Sequence, residues 1–339
     1  MKKIILIIIT VLVFSSCEKL FFEKDIQSVD PYVNFDYLWS QIDQKYSYFT
    51  FKDVNWDEVK VRYRAQLSKD MSQEALFDVM ANMMNELKDD HTNLISDFNI
   101  SRYDLPLLHE SNYSEHVVQK YYIPNYKTIG GFTHNMIVNS NIGYIRYSSF
   151  SNEITPEQMS YLTNYYKDTD GLILDLRSNG GGSVTNIPII LEAFSNARTL
   201  AAYTIHRNGP GRDEFGNRET IHILKGSGTI YQKPVMVLID RYSYSATTFF
   251  SVCTKAFDHI QLVGDTTGGG GGLPNGGQLP NGWFYRFSVS QILDLQGNNY
   301  AESGVPPDFV ATFNWNDMTK DEIIEAAIDI IYDQKKKGK

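Results

Sequence analysis

From Ile142 onwards, short apolar runs alternate with helical patterns, and this alternation limits the fold more than any other feature of the chain. Buried strands are predicted for four apolar, often β-branched segments, namely 142–150, 171–176, 235–240 and 260–264. Helices are predicted over 157–166 and 184–194, and another begins at Ser245. Strands that alternate with helices in this way predict an α/β fold with a mostly parallel sheet and right-handed crossovers.

One strand–turn–helix segment places a serine where α/β folds often carry chemistry. The predicted strand 235–239 leads into a turn over 240–244, and the helix follows from Ser245. Ligands and reacting groups often lie beyond the carboxyl ends of parallel strands, and a helix N-terminus favours developing negative charge. Ser245 is therefore a candidate nucleophile. The alternative is a plain helix N-cap, a position for which serine is among the preferred residues.

A glycine-rich turn follows another predicted strand. The sequence DLRSNGGG, residues 175–182, stands between that strand and the next helix. Backbone N–H groups in such a turn can approach a ligand oxygen closely. We interpret it as an oxyanion hole formed by the Gly181 amide together with the Ala246 amide, and turn geometry alone is the alternative. Phosphate binding is not indicated, because neither GxxxxGK[ST] nor GxGxxG is present.

A serine nucleophile needs a base and a group that orients the base, and two candidates lie far from Ser245 in the chain. His91 stands in LKDDHT at the end of a helical segment, and Glu302 stands in ESGVPPD. Only the fold can bring such residues together, so their spacing in the sequence does not test whether they act with Ser245. A surface or buried structural role is the alternative for His91.

These segments, in this order, resemble the tail-specific (C-terminal processing) serine peptidases, in the branch that contains the tricorn core and the interphotoreceptor retinoid-binding domains. The motifs fall within residues 35–95 and 141–315, and they are LKDDHT, GYIRYSSF, GLILDLRSNGGG, VMVLIDRYSYSATTFF, LVGDTTGGG and ESGVPPD. The resemblance implies a crotonase-like (ClpP/crotonase) spiral α/β core beside a smaller N-terminal helical domain. It also implies hydrolysis of peptide bonds in unfolded or extended polypeptides, with Ser245 as nucleophile and no cofactor.

The resemblance also indicates which base the serine uses. One branch of the family has a Ser/Lys dyad, and Gly270 occupies the position of that lysine here. The other branch uses a histidine, and LKDDHT is similar to its motif. The resemblance therefore implies His91 as base, Glu302 as the group that orients it through a bridging hydroxyl, and Asp90 as a further polar helper.

Three features depart from the family pattern. Thr248 stands where a glutamate is common, and Glu302 is one residue closer to Gly304 than usual. The segment between His91 and Ile142 is too short for a complete PDZ domain with its linkers. These departures motivate an alternative of another class, a binding lipoprotein for an apolar ligand or peptide that uses the same scaffold without hydrolysis.

The first sixteen residues resemble a bacterial lipoprotein signal peptide. Two lysines precede an apolar run over 4–14, and small residues precede Cys17. The run is too short to span a bilayer as a helix and is typical of a cleaved secretory signal. We expect Cys17 to be lipidated, which would anchor an exported protein to a cell-envelope membrane, on its periplasmic or outer side. An ordinary signal with an incidental cysteine is the alternative.

Composition limits the partners and cofactors. The net charge of −9 argues against nucleic acid as a partner. The chain has neither HExxH nor CxxC, so no dedicated metal site is expected. Cys253 is the only cysteine besides Cys17, which excludes a disulfide framework and predicts a core position. A polypeptide substrate is the expected partner, and the oligomeric state stays open.

The same patterns divide the chain into six predicted parts. The predicted parts are a signal peptide 1–16, a tether 17–30, an N-terminal helical domain 31–95, an irregular connecting segment 96–140, a catalytic core 141–315 and a C-terminal helix 316–339. A capping box over 319–322 is predicted to open the last helix.

Overall fold

A computed structural model describes residues 27–103, 109–209 and 211–337, in which strands form three sheets and helices pack against them. The predicted signal peptide, Cys17 and most of the tether therefore lie outside the described residues. The helices are α1 Pro31–Lys45, α2 Trp56–Arg64, α3 Gln73–Asn85, α4 Glu115–Val117, α5 Pro156–Tyr165, α6 Asn186–Glu192, α7 Ala246–Thr254 and α8 Glu322–Lys337. In this part of the chain, no helix is long and apolar enough to cross a bilayer.

The largest sheet of the described residues has seven strands, in the spatial order β14–β10–β9–β6–β5–β4–β3. Their bounds are β3 Lys127–Ile129, β4 Phe132–Met136, β5 Ile142–Tyr147, β6 Gly171–Asp175, β9 Val235–Ile239, β10 Ile260–Gly264 and β14 Phe309–Val310. The pairs from β14 to β5 are parallel, and β4 and β3 add antiparallel pairs. The predicted mostly parallel α/β sheet is confirmed. The segment 96–140, predicted to be irregular, supplies the two antiparallel strands.

Helices cover both faces of this central sheet, because its middle strands carry apolar side chains on both faces. Side chains alternate along a strand, so Leu172 and Leu174 face the core formed with α5, α6 and α7. Ile173 points to the opposite face, where it packs in the core that contains Ile324 of α8. The result is a helix–sheet–helix arrangement, in which the carboxyl ends of β5, β6 and β9 lie together at one edge of the sheet.

The terminal helix α8 begins later than the sequence pattern indicated. The side chain of Asp321 accepts hydrogen bonds from the backbone N–H groups of Ile323 (3.1 Å) and Ile324 (3.2 Å), so Asp321 caps the helix. Thr319, predicted as the cap, instead bonds to Asp317. The prediction of Thr319 was wrong because aspartate caps as well as threonine does and lies closer to the apolar stripe.

A second, four-stranded sheet joins the N-terminal helices to the rest of the chain. Its order is β11–β12–β1–β2, and the strands are β1 Asn93–Ile95, β2 Ile100–Ser101, β11 Pro274–Gln278 and β12 Phe284–Ser288. Tyr285 and Phe287 of β12 pack in one apolar core with residues of α1 and α3, such as Phe35 and Met80. This shared core fixes the chain just before β1 against the end of β12, and His91 lies in that stretch.

In the third sheet of the described residues, β7 pairs with β8 across the insert 206–220, and β13 pairs with the other edge of β7. Its order is β13–β7–β8, with β7 Thr199–His206, β8 Glu219–Ile223 and β13 Ser290–Leu293. The insert was predicted to be irregular, and its two ends are strands.

Candidate active site

The carboxyl ends of β5, β6 and β9 open into a cavity of about 590 Å³. Its lining includes residues from both of the larger sheets. The central sheet contributes Ser149, Gly181 and Ser245, whereas His91 and Arg286 come from the four-stranded sheet and its approach. The cavity is of the size that ligand sites usually have.

Ser245 lies at a strained turn between β9 and α7. Its backbone has φ 57° and ψ −116°, a conformation that L-residues rarely adopt. The turn is held by hydrogen bonds from the Ser245 N–H to Gly269 O (3.0 Å) and from the Phe249 N–H to Ser245 O (3.0 Å). Ser245 occupies the N-cap position, but its hydroxyl makes no capping bond. It points instead at His91, with Ser245 Oγ 3.0 Å from His91 Nε2.

The other ring nitrogen of His91 leads to a buried carboxylate. His91 Nδ1 is 3.3 Å from Ser288 Oγ, and the Ser288 hydroxyl donates to Asp89 Oδ2 at 3.3 Å. Asp89 also accepts from the Tyr46 hydroxyl (2.9 Å) and, through Oδ1, from the backbone N–H of His91 (2.9 Å). We assign the Nδ1–H tautomer, because it lets each hydroxyl in the series Ser245–His91–Ser288–Asp89 donate one hydrogen bond.

Burial keeps the His91 imidazole neutral. The side chain is 4% exposed, and this burial lowers the pKa of His91 to about 4, with Asp89 opposing the shift and Arg286 adding to it. At neutral pH, Nε2 therefore has a free lone pair that can accept the Ser245 proton. The arrangement has the geometry of a nucleophile and its general base.

Glu302 does not occupy the orienting position in this structure. Its carboxylate forms an ion pair with the Lys52 ammonium, which also donates to Lys88 O at 3.1 Å. Burial raises the pKa of Glu302, and Lys52 partly offsets this effect. Asp89 holds the bridging serine instead. The expectation for Glu302 fails because the Lys52 ammonium, from the turn after α1, competes for that carboxylate.

Only one of the two predicted oxyanion donors is available. The Ala246 N–H lies in the first turn of α7, where backbone N–H groups have no intrahelical acceptor. The Gly181 N–H instead donates to Asn179 Oδ1 at 3.0 Å. Gly181 is nonetheless required for space, because a β-carbon on it would lie 2.8 Å from Ala246 N and 2.8 Å from Ser245 Cβ.

The structure also defines the contacts of the other positions that the sequence analysis singled out. Asp90 lines the cavity. Gly270, at the family's lysine position, has φ +67°, and a β-carbon there would lie 2.3 Å from the Tyr244 ring, so a lysine does not fit. The Thr248 hydroxyl donates to Gly269 O at 2.7 Å and ties α7 to the glycine loop. Cys253 is a fully buried core residue, as predicted, and burial raises the pKa of its thiol to about 12.

Sequence reasoning missed Asp89, Ser288 and Lys52. Asp89 precedes His91 by two residues, and an aspartate at that spacing commonly accepts the backbone N–H two residues on, a signal that could have identified it. Ser288 and Lys52 had no such signal, because the fold alone brings them to the site. Within the described ranges, no three His, Cys, Asp or Glu side chains cluster as a metal site requires.

Comparison with known proteins places the chain in a family. Residues 141–311 match peptidase family S41, and residues 30–85 match the tricorn protease C1 domain. The carboxy-terminal processing protease CtpB of Bacillus subtilis is 26% identical over 170 residues, which are 49% of this chain and 33% of that protein. The chain thus spans about a third of the length of this curated relative.

Solved structures with the same fold cover nearly the whole chain. A protein of Parabacteroides merdae is 37% identical with a TM-score of 0.84, over 90% of this chain and 97% of that one. Mature CPAF has a TM-score of 0.68 at 13% identity, over 89% of this chain and 96% of that one, and therefore supports the fold alone. Because the family match extends over half of the sequence, this protein belongs to peptidase family S41.

Proposed function

We propose that the protein is a serine peptidase that hydrolyses peptide bonds in unfolded or extended polypeptides. The observation that carries this proposal is the contact of 3.0 Å between Ser245 Oγ and the Nε2 atom of a buried, neutral His91. Membership of family S41 and the similarity to carboxy-terminal processing proteases support the same activity. The comparisons do not favour a binding lipoprotein without hydrolysis. We also propose that the core has the crotonase-like spiral form of the α/β fold.

The mechanism follows from the contacts of these residues. Ser245 Oγ attacks the carbonyl carbon of the scissile bond while its proton passes to His91 Nε2. The Nδ1–H group bonds to Ser288, and the Asp89 carboxylate behind it stabilises the imidazolium that forms. The Ala246 N–H faces the oxyanion. His91 then gives the proton to the leaving amine, and a water molecule repeats the sequence to release the acyl group.

Hydrolysis of an unfolded, quenched-fluorescent protein by the full chain tests this proposal. We expect cleavage by the natural protein and none by the Ser245→Ala variant. Equal cleavage by both would contradict it, because the activity would then belong to another nucleophile or to a contaminant. No cleavage by the natural protein of a broad set of unfolded substrates would also count against the proposal.

We also propose that the chain is exported and anchored through lipid on Cys17 to a bacterial cell-envelope membrane. The support is the basic, apolar and small-residue order that precedes this cysteine. When the full chain is made in a bacterium, we expect it in the membrane fraction, and we expect Cys17→Ser to move it out of that fraction. Equal membrane recovery of both forms would contradict lipidation at Cys17.

Asp89 and Glu302 can be compared directly as groups that orient His91. Asp89→Asn keeps the shape but removes the charge that stabilises the imidazolium, so we expect kcat to fall by about 10- to 100-fold, the size of a hydrogen bond to a charged group. Asp89 also raises the pKa of His91. The acid limb of the pH–rate profile should therefore move to lower pH in this variant.

Glu302→Gln is the matched control, because the ion pair of Glu302 leads to Lys52 and not to the imidazole. We expect a smaller change in kcat and an unmoved acid limb. A larger loss in Glu302→Gln than in Asp89→Asn would restore Glu302 as the orienting residue.

A further inference from the structure

Arg286 is a charged residue of the cavity that the proposed mechanism does not use. It lies on β12 two residues before Ser288, so both side chains are on the same face of the strand, about 7 Å apart along it. Ser288 is buried against His91, and Arg286 is exposed in the cavity lining. The strand thus places a guanidinium one step outward from the reacting groups.

The Arg286 guanidinium forms no ion pair or hydrogen bond with any residue in the described part of the chain. Other arginines of these ranges are engaged: Arg212 pairs with Asp43 and Asp57, Arg177 with Asp175 and Asp321. The charge of Arg286 nevertheless acts on His91, because it contributes to the lowered pKa of this imidazole. An unpaired guanidinium in a concave site has five donors available for an incoming acceptor.

We propose that Arg286 determines specificity by binding a carboxylate of the substrate beside the scissile bond. This inference rests on the proposed peptidase function. Among the described residues that line the cavity, Asp90 is the one charged side chain besides Arg286, because His91 is neutral, and most of the others are serines, glycines and apolar residues. Guanidinium–carboxylate pairs are strong and directional, so a substrate carboxylate is the partner that this surface fits best. The carboxylate can come from an acidic side chain or from a free C-terminus.

Matched peptides test the proposal and separate the two sources. One series places Glu or Gln in turn at each position around the cleaved bond, and the other has a free or an amidated C-terminus. We expect kcat/KM to be about tenfold higher for the carboxylate member of one series, as a charged hydrogen bond would give. Arg286→Gln should remove this preference, and Arg286→Glu should reverse it towards lysine-containing peptides. Rates are compared at neutral pH, where His91 is neutral with or without Arg286.

Arg198→Gln is the control variant, since Arg198 is exposed and lies outside the cavity lining. It should keep the full preference. If Arg286 only balances the charge of Asp90, then Arg286→Gln will change both members of each pair by the same factor, which would overturn the proposal. A natural protein that shows no preference between the members of any pair would overturn it as well.

Binding distinguishes failure of this inference from failure of the peptidase proposal. The Ser245→Ala variant keeps the cavity, so its affinity for the same fluorescent peptides can be measured without cleavage. A carboxylate preference that disappears in Ser245→Ala/Arg286→Gln supports the subsite even if the natural protein cleaves none of the peptides. Equal affinity of the paired peptides for the Ser245→Ala variant would exclude it.

Discussion

Replacing Ser245 by alanine is expected to lower kcat for an unfolded protein substrate by about 10⁴- to 10⁶-fold, because loss of the nucleophile removes the covalent route. Ser245 Oγ lies 3.0 Å from the base, and in the described residues no cysteine takes its place, since the buried Cys253 is fixed in the core. The measurement is steady-state hydrolysis of the quenched-fluorescent substrate, with the thermal midpoint of each variant recorded in parallel.

Two controls accompany this variant. Ser227→Ala removes an exposed serine outside the cavity lining and should leave the rate unchanged. Ser245→Gly should be as inactive as Ser245→Ala but at least as stable, because glycine adopts the φ of 57° at this position without strain. A residual rate in Ser245→Gly comparable with the natural protein would rule out Ser245 as the nucleophile.

Gly181→Ala is expected to lower kcat by about 10²- to 10³-fold, the usual loss when an oxyanion donor is disabled. The donor affected is the Ala246 N–H, because the new side chain would block access to it. The added β-carbon would sit 2.8 Å from Ala246 N, in the space that the oxyanion needs. The backbone at Gly181, with φ +94°, also disfavours any side chain. Single-turnover acylation by an activated ester, which isolates the step that forms the oxyanion, is the measurement.

Gly180→Ala is the matched control one residue earlier. A β-carbon on Gly180 would have nothing within 4 Å, and its φ is not in the left-handed region. Acylation by this variant should stay close to that of the natural protein. Equal losses at both glycines would mean that the loop as a whole, rather than the space beside Ala246, limits the reaction.

The central sheet was predictable because its signals are local. Buried parallel strands such as 171–175 and 235–239 are continuous apolar runs, and the residues that follow them include both the glycine turn and Ser245. The helix bounds were predicted to within about two residues for α5 and α6. In contrast, β3 and β4 are short strands in a segment of weak pattern, and their pairing with β5 depends on the rest of the sheet.

The site was predictable only where a residue type and its neighbours both pointed to chemistry. His91 and Ser245 satisfied that condition, and the fold brings them into contact. The orienting group could not be deduced in this way, since the choice between Asp89 and Glu302 depends on where Ser288 and Lys52 come to lie. The Gly181 amide was misjudged for a similar reason, because the Asn179 side chain accepts its N–H.

The proposed nucleophile and base belong to different sheets, Ser245 after β9 of the central sheet and His91 before β1 of the four-stranded sheet. Residues 141–311, which define family membership, contain the serine and its glycine turn but not the histidine. A gene fusion that carried only this segment would therefore inherit a nucleophile without a base. A base would then have to be supplied by a histidine or lysine of the new neighbour, and the same neighbour would have to replace the part of the cavity wall that Asp90 and His91 form here.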